Sequence, residues 1–133
     1  MKLLVINPNT SDAMTEDIKQ TVARVKRNET EVAVLHPDFG PEALESFYDY
    51  QLASMGMIRM IKSRSMDYDG VLVACFGDPG LYALKEICDC PVIGIAEASF
   101  SAACLLGARF SVLAASEKAI PMMENLIAQY NFR

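Results

Sequence analysis

Short aliphatic runs separated by helical stretches constrain this chain more than any other feature of its sequence. Leu3 to Ile6, Val32 to Leu35, Val71 to Cys75, Val92 to Ile95 and Phe110 to Ala114 have the length and composition of strands buried on both faces. Between them apolar residues return at helical spacing. Met14, Ile18, Val22 and Val25 predict a helix from Asp12 to Lys26 with Ser11 as its N-cap. Leu52, Met55, Met57, Ile58, Met60 and Ile61 predict a second, from Phe47 to Ser65, with an apolar arc wide enough to pack on two sides. Asp78 and Pro79 open a third as N-cap and first helical residue, a helix of small residues runs from Ala98 to Leu106 and stops at Gly107, and a last one follows Pro121. Strand followed by helix, repeated along the whole chain, predicts an α/β fold: a mostly parallel sheet with helices on both faces, in three αβα layers.

A chain of 133 residues is long enough for one such core. Its apolar share of 52% exceeds the usual range of roughly 45–50%, which fits a doubly buried sheet and also fits apolar surface meant for another chain. The net charge of −5 with scattered basic residues argues against nucleic acid or an anionic membrane as partner. No apolar run approaches the ~20 residues of a membrane span, so a soluble, cytoplasmic protein is expected. Cys75, Cys88, Cys90 and Cys104 read as free thiols. Cys88 and Cys104 lie on apolar helical stripes and are expected in the core, and the pair Cys88 and Cys90 lacks the second pair that a zinc site needs.

Ligands of open parallel sheets bind beyond the carboxyl ends of the strands. Cys75 closes its strand just ahead of a helix start, whose unpaired N–H groups carry partial positive charge. That position is expected to lower its pKa below the free value of about 8.5 and make it the most reactive thiol, although a cysteine ending an aliphatic run also suits a core. Gly77 and Gly80 leave room for a ligand, whose carboxylate or enolate oxygen those N–H groups would hold. Asn7, Asn9, Thr10 and Ser11 after the first strand offer amide and hydroxyl groups to a substrate; capping accounts for one of them. Ser46 stands at the foot of the loop after the second strand. His36 reads as a loop histidine, because the sequence supplies no carboxylate to orient it, and Glu97 as a cap or a polar wall.

Four blocks carry a resemblance: Val5 to Ser11 with Met14 and Thr15, Gly40 to Glu42 with Leu44 to Ser46, Ala74 to Leu81, and Pro91 to Ala98. In this order they resemble the aspartate/glutamate/hydantoin racemase family, and hydantoin racemases most of all, over residues 3 to about 115. Arg109 to Leu113 is similar to the strand that opens the second half of that family. The resemblance implies a racemase-like domain over 1–108, followed in 109–133 by the strand and helix of an incomplete second domain. It further implies proton exchange at a carbon next to a carbonyl, without metal, pyridoxal phosphate or nicotinamide. Cys75 matches the first of two cysteines that share this work; the second lies in a later segment that these residues do not contain. Asn7, Asn9, Thr10, Ser46, Phe76, Gly77 and Asp78 would shape the substrate pocket, for a hydantoin, allantoin or small amino or dicarboxylic acid. A homo-oligomer, two copies facing their Cys75 thiols across one cleft, would restore a two-thiol site. The alternative is a catalytically incomplete or flavodoxin-like small-anion-binding module with Asn7 to Thr15 as its phosphate loop. That loop lacks glycine, and the chain has no tryptophan to stack on a flavin.

Overall fold

The computed structural model describes residues 1–65 and 67–132. The chain runs β1 (Lys2–Ile6), α1 (Asp12–Val25), β2 (Glu31–Leu35), α2 (Phe47–Lys62), β3 (Gly70–Val73), α3 (Leu81–Ile87), β4 (Val92–Gly94), α4 (Ile95–Leu106) and α5 (Ala119–Gln129). The four strands form one parallel sheet in the order β2-β1-β3-β4. β1 is interior: Leu4 pairs with Ala33 on one side and Val71 on the other.

The connections from β1 to β2 and from β2 to β3 run in opposite directions across the sheet. Right-handed crossovers therefore put α1 on one face and α2 on the other. Leu4, Ile6, Val71 and Val73 pack with Met57, Met60, Ile61, Leu81 and Leu84 of α2 and α3, so the apolar arc of α2 meets both the sheet and α3, except for Met55, which is exposed. The α1 face is thinner. Thr15 is the buried residue of α1, and Met14 and Val25 of its expected apolar stripe remain exposed. A second cluster joins α4 to α5 through Ala96, Phe100, Met122, Met123 and Leu126. Phe100 is its hub, meeting the rings of Phe76, Phe110, Tyr130 and Phe132 at centroid distances from 5.4 to 6.4 Å.

The expected fifth strand, Phe110 to Ala114, does not form. β4 ends at Gly94 because α4 starts on the next residue, so the sheet edge is short. Phe110 instead stacks on Phe100 at 5.6 Å, and Val112 packs on the α4–α5 cluster. Arg133, at the end of the expected 109–133 segment, lies outside the described residues. Cys104 is exposed, not part of the core: it lines an open cleft between the end of α4 and α5 instead of packing into the cluster. Cys88 and Cys90 are partly buried against the sheet core.

Candidate active site

The sheet reverses its winding at β1, and the two strand ends beside the switch point, those of β1 and β3, are where an open α/β sheet forms its ligand crevice. The Ala74 amide donates to the Ile6 carbonyl at 2.8 Å, carrying the pairing one residue past β3 and setting Cys75 beside the loop after β1. A cavity of about 970 Å³ opens there, lined among others by Asn7, Asn9, Tyr50, Cys75 and Phe76 and walled by Leu113 to Ala119 and Met122.

Asn7 and Asn9 are buried and spend most of their capacity on each other. The Asn7 amide Nδ2 donates to Asn9 Oδ1 at 2.6 Å and to Thr15 Oγ1 at 3.0 Å, and Asn7 Oδ1 accepts from the Asn9 backbone at 3.3 Å. Asn9 Oδ1 also accepts from the Ser11 backbone N–H at 3.0 Å. The Asn9 amide Nδ2 has the Met14 sulfur at 3.0 Å, a weak acceptor. These side chains shape the loop and leave one amide poorly partnered at the cavity. Ser11 caps α1, accepting from the Met14 N–H at 3.2 Å, as its sequence position predicts.

The turn after Cys75 departs from expectation. The N–H groups of Gly77 and Asp78 both donate to the Cys75 carbonyl, at 2.8 and 3.0 Å, so they are spent within the turn and cannot hold a substrate oxygen. The N-cap of α3 is Gly80, and the helix starts at Leu81. Asp78, at φ 45°, swings its carboxylate away to the start of α4. There it accepts from the backbone N–H groups of Ala96 at 3.1 Å and Glu97 at 2.7 Å, and from the Tyr130 hydroxyl at 2.8 Å. Gly94 makes this possible: a Cβ there would fall 2.1 Å from Asp78 Cγ. Asp78 thus caps α4, not its own helix.

The electrostatics follow from burial. Removal from water, and then the Asp78 carboxylate, push the Cys75 thiol up to about 12 instead of down. Cys75 therefore keeps its proton at neutral pH in the ligand-free chain. Burial likewise raises Asp78, against its own hydrogen bonds.

Of the residues singled out from sequence, the cavity brings together Asn7, Asn9, Cys75 and Phe76. Gly77 and Asp78 line a neighbouring cleft. Thr10 ties its loop to the next, its N–H donating to the Pro41 carbonyl at 3.0 Å. Ser46 caps α2: its Oγ accepts from the Asp49 N–H at 3.1 Å and donates to Asp49 Oδ2 at 2.7 Å. Glu97 pairs with Lys85 at 2.6 Å. His36 does have a carboxylate, Asp12 Oδ1 at 3.0 Å from Nε2, while Nδ1 lies 3.0 Å from the Pro37 carbonyl; it does not line the Cys75 cavity. Sequence reasoning missed Tyr50 and Tyr130. Among the described residues no group of His, Cys, Asp and Glu side chains is arranged to hold a metal ion, and no helix is long and apolar enough to cross a membrane.

Fold and site define a class: a doubly wound α/β domain with a thiol and an amide pair at the switch point of its sheet. The family described as Asp/Glu/Hydantoin racemase matches residues 3–133, and the chain belongs to that family. It is 41% identical over 134 residues to the hydantoin racemase of Pseudomonas sp. strain NS671, covering 100% of this chain and 54% of that protein. The solved allantoin racemase from Klebsiella pneumoniae matches at a TM-score of 0.94 and 38% identity, covering 99% of this chain and 54% of that one. The allantoin racemase AllR from Pseudomonas fluorescens matches at 0.93 and 30%, covering 99% and 56%. The chain spans about half the length of these relatives.

Proposed function

We propose that the chain acts as a cofactor-independent racemase on hydantoin-like small molecules, with Cys75 carrying the proton. The observation that supports this most is the position of Cys75 in the cavity at the switch point, together with the asparagine pair after β1, Tyr50 of α2 and Phe76. In its thiolate form Cys75 takes the proton from the carbon next to a carbonyl. The C–H bond breaks, an S–H bond forms, and the electron pair moves into the carbonyl as an enolate oxygen. Return of the proton to the same face restores the substrate; delivery to the opposite face inverts it. A second copy of this chain, facing the cleft, supplies that opposite proton through its own Cys75. Exposed Leu113, in the cavity wall, and exposed Leu105 and Leu106 at the end of α4 favour such an assembly. The four free thiols favour a reducing compartment, the cytoplasm.

The test is an enantiopure 5-substituted hydantoin in deuterated water. Deuterium should enter the acidic carbon and the circular dichroism of the substrate should decay. Incorporation no faster than in enzyme-free buffer would overturn the role of Cys75. Deuterium uptake without loss of optical signal would retain Cys75 and remove the opposite-face donor.

A further inference from the structure

The backbone N–H groups that sequence alone assigns to the substrate oxygen are turned onto the Cys75 carbonyl, so the charge that forms on a substrate needs another donor. The charged side chains lining the cavity, Glu45, Glu117 and Lys118, are all exposed. Tyr50 is differently placed. It stands in the first turn of α2, its backbone N–H donating to the carbonyl of the cap residue Ser46 at 3.1 Å. Its ring packs on the cluster of Ala96, Phe100 and Met122, which fixes its direction. The hydroxyl reaches over the turn after Cys75. A Cβ at Gly77 would fall 1.9 Å from it, so Gly77 is the residue that admits the phenol to the site, which is a reason for a glycine there beyond ligand access. Among the described residues the Tyr50 hydroxyl donates to no protein acceptor, whereas the Tyr130 hydroxyl is spent on Asp78.

We propose that Tyr50 is a catalytic residue: its O–H donates a hydrogen bond to the carbonyl oxygen of the substrate and stabilises the enolate formed when Cys75 removes the neighbouring proton. The Asn9 amide, partnered only by sulfur, is the second donor facing the same space. Burial first, then Cys75 and Asp78, raise the phenol to about 12, so Tyr50 remains a neutral donor throughout the working range and is not itself the base. The step is a hydrogen bond, with no transfer of the phenolic proton. This assignment rests on the reading of Cys75 as the proton carrier.

The experiment compares wild type, Tyr50→Phe and, as a control in the same turn, Tyr48→Phe, in deuterium exchange of the hydantoin and in calorimetric binding of it. Loss of one preorganised donor to an oxyanion costs on the order of 100-fold in turnover. Tyr50→Phe should lose about that factor in kcat and bind the hydantoin more weakly by a smaller factor, because the bond to the ground-state carbonyl is the weaker one, and Tyr48→Phe should exchange like wild type. Thermal unfolding at the wild-type temperature shows that the loss is not one of folding. Exchange by Tyr50→Phe within twofold of wild type would overturn the role of Tyr50 and leave Cys75 standing. A wild-type chain that does not exchange would overturn the proposed function, and binding then decides Tyr50 alone: weaker affinity in Tyr50→Phe sustains the hydrogen bond, and equal or absent affinity in both removes it.

Discussion

Burial, not the helix start, sets the character of Cys75. α3 begins six positions further on, and the charge closest to the thiol is the Asp78 carboxylate, which opposes ionisation. A thiol raised in this way reacts through a small deprotonated fraction that grows about tenfold per pH unit below its pKa. Iodoacetamide near neutral pH is therefore expected to modify exposed Cys104 before Cys75, the reverse of what the sequence suggests. The labelling rate of Cys75, followed by mass spectrometry, should keep climbing as pH rises past the ordinary thiol value of 9.0. A Cys75 rate that levels off near neutrality would contradict the account. That Cys75 stands at a strand end beside the cavity was legible, since an aliphatic run ending in a turn fixes the position. Its ionisation was not, because the sign depends on where the side chain of Asp78 goes. Tyr50 was hidden for a similar reason: in sequence it is one aromatic among three at the start of α2, and only the bare Cα of Gly77 marks where its hydroxyl lands.

Asp78 joins three elements at one carboxylate: the turn after β3, the first turn of α4 and the residue that ends α5. Its replacement by alanine removes a helix cap, worth about 1 kcal/mol, and strips the Tyr130 hydroxyl of its acceptor at a comparable cost. Asp78→Ala is expected to lower stability by about 2 kcal/mol, and Asp78→Asn, which keeps one acceptor oxygen, by about half as much. Urea unfolding measures both; an Asp78→Ala chain as stable as wild type would mean that the carboxylate does not hold these elements. The elements themselves were largely readable from periodicity, and the four parallel strands fall where aliphatic runs predict them. The run at Phe110 misled because a strand and a segment pegged by alternate side chains share one pattern. The ring of Phe100, unseen in a local window, decides between them.

At the scale of the molecule, apolar side chains stay exposed on β4, at the end of α4 and in the segment after it. Ile93 is 46% exposed, and Leu105, Leu106 and Leu113 are 88%, 89% and 96% exposed. Apolar surface of this extent favours association, and light scattering at micromolar concentration is expected to return about twice the chain mass of 14.6 kDa. A mass equal to one chain would remove the dimer and, with it, the opposite-face thiol. The interior position of β1 carries a further consequence, in time. β1 leaves a ribosome before its partners, residues 31–35 and 70–73, and the sheet gains its last edge only with residues 92–94. At a synthesis rate of roughly 10 residues per second, Leu3 to Ile6 wait some seconds without their second neighbour. During that interval the most aliphatic segment of the protein is an unfinished surface, and the nascent chain is a natural client for whatever shields such segments at the exit tunnel.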